Sequence, residues 1–132
     1  FMNHFNKLKS YLTDLELDYR VVDEKEQILL VDDPERGIQN LVIDCEDSLV
    51  ILEQFICQFK GDPKAEDLTS LLQMNRRLIH GAYTLDDDGS RVLFRDTLQL
   101  ETLDLVELGA SVEALSLGLA ENAHQFIKMA EA

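Results

Sequence analysis

Features that would tie this chain of 132 residues to a membrane are missing. No apolar run approaches the roughly 20 residues that a membrane-spanning helix needs. The N-terminus lacks the basic segment and the apolar block of a secretory signal, so we expect a cytoplasmic protein. Because Phe1 precedes Met2, we also expect Met2 to be the natural start and Phe1 to be a cloning remnant.

Cysteine is scarce, and its spacing does not suit metal binding or redox chemistry. Cys45 and Cys57 lie in apolar stretches and form no Cys-x-x-Cys pair, which argues against zinc-ribbon and thioredoxin folds. Small buried core residues are therefore the expected role of both. The chain also lacks a G-x-S-x-G elbow and a phosphate-binding glycine loop, so no catalytic residue, metal or cofactor is predicted.

Basic residues are outnumbered by more than two to one. There are 12 Lys and Arg against 26 Asp and Glu, which gives a net charge of -14. Phosphate backbones and anionic lipids would repel such a chain at long range, so neither nucleic acid nor a membrane is expected as a partner. Basic or neutral protein segments are better candidates, unless the acidity serves only to keep the chain in solution.

Three helices are predicted from apolar residues at steps of three and four. The first spans residues 3–16. The second is expected to begin at Asp62-Pro63, where Asp is a good cap and Pro suits the first turn, and to end at Gly81. The third spans residues 102–130. The expected buried side of the second helix consists of Leu68, Leu71, Leu72, Asn75, Leu78 and Ile79.

Strands are predicted on both sides of the second helix. Four of them, over residues 18–22, 27–31, 38–45 and 49–59, are joined by short polar turns, which favours an antiparallel meander. Two more precede the third helix. The expected fold is therefore α+β, with an antiparallel sheet and the order α-β-β-β-β-α-β-β-α. A chain of this length has room for one domain, so residues 1–132 are predicted to form a single unit.

The stretch HGAYTLDDDGSRVLFRD, residues 80–96, carries three aspartates and a glycine between apolar runs. With Gly89 at the sixth position of an EF-hand loop, the twelfth position is Arg95, and a cation cannot serve as the glutamate ligand that calcium needs there. Asp88-Gly89 is instead a strong signal for a tight turn between two strands. We therefore predict a β-hairpin, and no metal site, at this position.

Two segments have more apolar residues than one buried face requires. In LVILEQFICQF, residues 49–59, both strand faces are apolar, and the predicted partner-binding residues are Leu49, Ile51, Phe55 and Phe59. The third helix carries a second apolar side, with small residues at every fourth position, that the second helix or another subunit would fill. Its predicted dimer-interface residues are Val106, Ala110, Ala114, Leu117 and Gly118.

The order of elements resembles that of the class I type III secretion chaperones, such as the Tir chaperone, and is closer still to the bacterial YbjN-type proteins. The likeness is clearest in LLQMNRRLIHGAYTLDDDGSRVLFRDTLQLETLD, residues 71–104, which contains a Leu-x-x-Asn-x-x-Leu run, an acidic-Gly turn and an Asp-capped helix. The resemblance implies the fold and a small acidic homodimer that holds clients in extended form without ATP. It carries over no catalytic residue.

The leading hypothesis is thus a non-enzymatic homodimer that binds a protein client through apolar surface, with backbone pairing to a sheet edge. The alternative hypothesis is a YbjN-type regulatory or sensory domain that binds a small ligand or a regulatory partner. Such a domain would need an enclosed apolar pocket with a few convergent polar groups, for which Asn75, Tyr83 and Arg95 are the candidates.

Overall fold

A computed structural model describes residues 3–131, so the expectation about Phe1 and Met2 lies outside the described residues. Three helices, α1 to α3, span His4–Asp14, Ala65–Arg77 and Leu105–Glu131. Six strands, β1 to β6, span Asp18–Asp23, Ile28–Asp33, Ile38–Glu46, Leu49–Gln58, Ala82–Leu85 and Arg91–Gln99. The predicted α+β fold and the order α-β-β-β-β-α-β-β-α are confirmed.

All six strands form one antiparallel sheet with the order β1-β2-β3-β4-β6-β5. Strands β1 to β4 make the predicted meander, because each pairs with the next one along the chain. After α2 the chain returns as a hairpin, in which β6 pairs with β4 and β5 pairs only with β6. The two edges of the sheet are therefore β1 and β5.

One face of the sheet and the three helices share a single hydrophobic core. Alternate strand residues, among them Leu29, Ile43, Leu52 and Phe94, are fully buried together with helix residues such as Leu8, Leu12, Met74, Leu108 and Leu115. Because side chains alternate along a strand, the residues between them point to the other face. In the described part of the chain, that other face is not covered by a helix.

Capping residues set where the helices begin. Asp104 was expected to cap the third helix, and its Oδ1 accepts a hydrogen bond from the Glu107 backbone N–H at 2.7 Å. The expected start of the second helix is wrong by two residues, because Pro63 was predicted as its first residue and α2 begins at Ala65. There the Asp67 carboxylate accepts from the Lys64 backbone N–H at 3.2 Å, which fixes the first turn after Pro63.

The expected end of the second helix is also wrong. Helix α2 ends at Arg77, four residues before Gly81. Gly81 lies in the segment that leads into β5, where it has a φ of 74°. A Cβ at this position would lie 2.7 Å from Cε1 of Phe94, so the glycine is needed for close packing against the core.

The grouping of Leu49, Ile51, Phe55 and Phe59 rests on strict alternation along β4, which holds up to Phe55 and fails beyond it. Phe55 pairs with Leu93 and Cys57 pairs with Val92, so Ile56 is the extra residue of a β-bulge. A bulge shifts the alternation by one residue and turns the rest of the strand over. Cys57 and Phe59 are therefore buried in the core and do not share a face with Leu49 and Ile51.

The predicted β-hairpin is present between β5 and β6, and its loop spans residues 86–90. Of the two residues of the Asp88-Gly89 turn signal, only Gly89 has a positive φ, at 70°. Asp86 closes the loop, since its Oδ1 accepts from the backbone N–H groups of Ser90 at 2.9 Å and of Arg91 at 3.1 Å. The loop is therefore a tight connection of five residues, and hydrogen bonds to Asp86 hold its conformation.

Candidate functional site

The face of the sheet opposite the helices is the main candidate binding surface, and we call it the open face. Its outward residues are partly apolar and partly polar, with Asp44, Glu46, Glu53 and Arg95 among the charged ones, and all of them keep some exposure to solvent. Cross-strand pairs bring them together, because Leu30 lies opposite Val42 and Phe55 lies opposite Leu93. The apolar residues of the open face are Ile28, Leu30, Val42, Leu49, Ile51, Phe55 and Leu93.

Phe55 is the most exposed aromatic ring of this surface, with 52% of the residue accessible. The Arg91 guanidinium carbon lies 5.8 Å from the ring centroid and leaves most of the ring free. One strand pair further along, Arg95 Nη1 forms an ion pair with Glu53 Oε2 at 2.7 Å. The open face is thus a surface on which apolar and charged side chains alternate, which suits client segments of mixed character.

The two sheet edges differ in whether they can accept another strand. At the β5 edge, the Asn75 side chain donates to the Tyr83 carbonyl at 3.1 Å and accepts from the Tyr83 N–H at 2.6 Å. This amide takes the place of a neighbouring strand and closes the edge. At the β1 edge, most of Asp18–Asp23 is exposed, and no side chain within residues 3–131 bonds to that backbone. Within residues 3–131, β1 therefore offers the longer run of free backbone groups for strand addition.

Three of the four predicted partner-binding residues lie together. Leu49, Ile51 and Phe55 are alternate residues of β4 on the open face, and the first two are half-buried. Phe59 is separated from them, because it lies beyond the bulge and is buried in the core. The surface also contains Leu93 and Val42, which sequence reasoning missed because their pairing with β4 depends on strand order.

The predicted dimer-interface residues divide into two groups. Val106 is 80% exposed, Leu117 is 49% exposed and Ala110 is half-buried, so these three lie on the outer side of α3. Ala114 and Gly118 are buried within the chain. A Cβ at Gly118 would collide with the Tyr83 hydroxyl and lie 3.1 Å from Cδ2 of Leu78, so the chain's own residues already use this close approach.

A second set of exposed apolar residues lies on α2 and beside its C-terminal end, where buried residues were expected. Leu68, Leu72 and Ile79 were predicted to be buried, yet Leu72 is 71% exposed and Ile79 is 81% exposed. Leu117 of α3 lies beside Ile79, because both line the same small cavity of about 70 Å³. We call Leu68, Leu72, Ile79 and Leu117 the α2 patch. Leu68 and Leu72 follow the apolar pattern of a buried helix side, although the single chain leaves all four residues exposed.

The three polar residues considered for a ligand pocket do not converge. Asn75 and Tyr83 are bonded to each other at the β5 edge, whereas Arg95 is paired with Glu53 on the open face. The described residues also contain no group of three His, Cys, Asp or Glu placed to hold a metal ion. A helix long and apolar enough to cross a membrane is likewise not found within residues 3–131.

The two cysteines are buried and unpaired. Burial, with a further contribution from the Asp44 carboxylate, raises the pKa of the Cys45 thiol to about 11. Burial, together with the charge of Asp67, does the same for Cys57, whose pKa is also about 11. Both groups remain thiols at neutral pH, which is typical of core residues rather than of reactive cysteines.

An antiparallel sheet of this order, with three helices, defines a type III secretion chaperone-like fold. The CesT_Tir_1 family model matches residues 1–132, and the chain belongs to this family of type III secretion chaperones. A search of curated protein sequences gives no match.

Solved structures support the same fold. YbjN from E. coli, described as a putative transcription regulator, is 20% identical, with a TM-score of 0.67 and 92% of each chain covered. A chain of the heterodimeric ExoU-SpcU complex from the type III secretion system of Pseudomonas aeruginosa is 17% identical, with a TM-score of 0.64 and coverage of 85% of this chain and 91% of that one. The Yersinia pestis secretion chaperone SycH, in complex with a fragment of YscM2, is 13% identical, with a TM-score of 0.60 and coverage of 94% and 99%.

Proposed function

We propose that the chain is a non-enzymatic, cytoplasmic chaperone-like protein that forms a homodimer and holds an extended client segment on its open face. The observation that carries this proposal is a set of apolar residues on a sheet face that the chain's own helices leave uncovered, with Phe55 half exposed among them. Membership of CesT_Tir_1 supports a binding role. Related structures of chaperones in complex with their protein partners support it as well.

The geometry of the open face suits an extended segment. Alternate side chains of an extended segment point to the same side, so they can rest on the rows formed by Ile51, Phe55 and Leu93. Backbone pairing is favoured at β1, because Asn75 occupies the Tyr83 backbone groups at the β5 edge. The net charge of -14 favours clients with Lys or Arg between their apolar residues.

The Phe55→Asp variant should bind client segments at least about tenfold more weakly. A Phe side chain that becomes buried contributes about 1.5–3 kcal/mol, and a carboxylate would add a desolvation cost. An array of immobilised peptides, about 15 residues long and rich in apolar and basic residues, can be probed with the wild type and the variant. Circular dichroism should report the same fold for both, since Phe55 is exposed in the single chain.

The matched control for this prediction is Ala130→Asp, which places the same charge at an exposed apolar position near the end of α3, on the helix side. We expect Ala130→Asp to keep the wild-type binding pattern on the peptide array. Equal retention of peptides by Phe55→Asp and by the wild type would contradict a client site on the open face.

The α2 patch is the surface that we propose for homodimerisation. Its leucines follow a buried-helix pattern but are exposed in one copy, as expected for residues that a second copy covers. Helix α2 also carries no net charge, because Ala65–Arg77 holds two Arg against Glu66 and Asp67, whereas the whole chain carries -14. Two copies would therefore repel each other little through this helix, and added salt should strengthen the dimer.

The Leu72→Glu variant should be mainly monomeric at concentrations where the wild type is dimeric. A charge buried in an apolar interface costs about 3 kcal/mol or more, which corresponds to a dissociation constant raised roughly 100-fold. Light scattering coupled to size-exclusion chromatography, at low and at high salt, measures the change. A wild type that stays monomeric at every salt concentration would remove the dimer from the proposal.

The predicted dimer residues on α3 provide the comparison. If Val106→Glu separates the dimer and Leu72→Glu does not, the interface lies on the outer side of α3, around Val106, Ala110 and Leu117. The reverse result would place the interface on the α2 patch. If both variants lose the dimer, the interface includes both surfaces, which share Leu117.

A further inference from the structure

A groove on the helix side of the molecule is used by neither proposed surface. It lies between the second half of α3 and the turn Pro34–Arg36 that joins β2 to β3, and its volume is about 550 Å³. We call it the α3 groove. Its apolar lining includes Ile56, Leu119, Phe126 and Ile127, and Ala120 and Ala123 form an exposed wall. Ile127, at the far end of the groove, is 55% exposed.

The wall opposite α3 is fixed by hydrogen bonds and packing. The Ser116 hydroxyl donates to the Arg36 carbonyl at 2.9 Å, and the buried Gln54 amide donates to the Gly37 carbonyl at 3.1 Å. The Gln54 side-chain oxygen also accepts from the Gln39 N–H at 3.1 Å, which ties the turn to β4. The groove therefore exists before any partner binds, and little ordering cost remains to be met on binding.

The backbone groups in the walls of the α3 groove are already hydrogen-bonded, which favours a helical occupant over an extended one. An extended segment needs free backbone partners, but α3 uses its own backbone groups within the helix, and the carbonyls of Arg36 and Gly37 are already bonded. A helix satisfies its own backbone and needs only apolar contact. Nearer its N-terminus, the same side of α3 packs against the end of α1. There Cδ2 of Leu15, the residue just after α1, lies 3.2 Å from the Cβ position of Gly109.

Charges around the groove indicate the chemistry of the occupant. The rim carries the carboxylates of Asp33, Glu35 and Glu113 against the single guanidinium of Arg36. Arg36 is shared, with Nε 2.7 Å from Asp33 Oδ2 and Nη1 3.9 Å from Glu113 Oε2. The rim is therefore acidic overall, and it complements Lys or Arg side chains beside an apolar ridge.

We propose that the α3 groove binds a basic amphipathic helix of a client protein, about three turns long, next to the extended segment on the open face. The length follows from Ser116 to Ile127, which spans about 16 Å at 1.5 Å per residue. This inference rests on the proposed chaperone role and adds a second mode of client contact, since one client would be held both as a strand-like segment and as a helix.

The test uses three fluorescent peptides of about 18 residues, titrated with the purified full chain and followed by anisotropy. The first is a Leu-Ala-Lys helix with its leucines on one face, the second is a scramble of the same composition, and the third alternates Val and Lys as an extended segment. We expect the helix to bind at least about tenfold tighter than its scramble, and added salt should weaken its binding.

Two variants of equal charge change locate the helix site. Ala120→Arg places a large cation in the groove and should weaken helix binding at least about tenfold, whereas Gln125→Arg, exposed on the opposite side of α3, should leave it unchanged. Equal affinity of the helix and its scramble would overturn the proposal. So would binding of a fatty acid, such as laurate, that Ala120→Arg abolishes while the helical peptide fails to bind.

The same titrations separate this inference from the proposed function. If Phe55→Asp reduces binding of the extended peptide and Ala120→Arg reduces binding of the helix, both proposals are supported. If Phe55→Asp abolishes helix binding and Ala120→Arg does not, the groove proposal is overturned and the open face remains. If only the helix binds, and Ala120→Arg weakens it, the groove is supported while the open-face proposal fails.

Discussion

Replacing Gly81 with alanine should lower the free energy of unfolding by about 2–5 kcal/mol, the largest effect expected from one added methyl group. Gly81 has a φ of 74°, a conformation that costs an alanine about 1–2 kcal/mol. The new Cβ would also lie 2.7 Å from Cε1 of Phe94 and 3.1 Å from the Arg95 carbonyl oxygen. Phe94 is fully buried between strands and helices, so it has no space into which to move.

Urea unfolding followed by circular dichroism measures this loss, and Gly89→Ala is the control. Gly89 also has a positive φ, of 70°, but no atom lies within 4 Å of its Cβ position. Gly89→Ala should therefore show the backbone cost alone, and the difference between the two variants measures the clash. Adding Phe94→Leu should recover part of the loss in Gly81→Ala. Equal losses at both glycines would show that the predicted contact with Phe94 is absent.

Replacing Asn75 with leucine should cost about 2–4 kcal/mol of stability and should also make the chain prone to association. Leucine has nearly the same size, but it leaves both the N–H and the C=O of Tyr83 without a partner, each at a cost of about 1–3 kcal/mol. The β5 edge would then present free backbone groups to other copies of the chain. Urea unfolding measures the first effect, and light scattering at increasing protein concentration measures the second.

Two further variants calibrate the loss of stability expected for Asn75→Leu. Asn75→Asp keeps the acceptor for the Tyr83 N–H and loses the donor to the Tyr83 carbonyl, so about half of the loss is expected. Gln73→Leu makes a similar exchange at an exposed position of the same helix and should be nearly neutral. If Gln73→Leu and Asn75→Leu destabilise the chain equally, the Asn75 amide does not close the sheet edge.

The fold could be predicted from the sequence because its signals are local. Alternation and apolar periodicity gave the order of elements, and Asp88-Gly89 gave the hairpin between β5 and β6. The bounds of α2 could not be predicted in this way, since Asp62-Pro63 and Gly81 carry the usual signals for a helix start and end. The contacts of Lys64 with Asp67 and of Gly81 with Phe94 decide these positions, and both are visible only in three dimensions.

The candidate surfaces were predictable only in part, for a related reason. Leu49, Ile51 and Phe55 follow simple alternation and share the open face, but the bulge at Ile56 turns Phe59 into the core. A bulge adds one residue without a clear sequence signal, so strict alternation fails beyond it. The exposure of Leu72 and Ile79 depends on how far α2 is covered by its neighbours, and periodicity does not report this.

The two buried thiols make the chain convenient for labelling. With a pKa of about 11, Cys45 and Cys57 are each ionised to only about one part in ten thousand at pH 7. A cysteine introduced on the surface, with an ordinary pKa of about 8.5, would be a few per cent ionised and would react some hundreds of times faster with a maleimide dye. Dyes attached through Phe55→Cys or Ala120→Cys would therefore report from the sheet or from the groove separately, with both native cysteines kept in place.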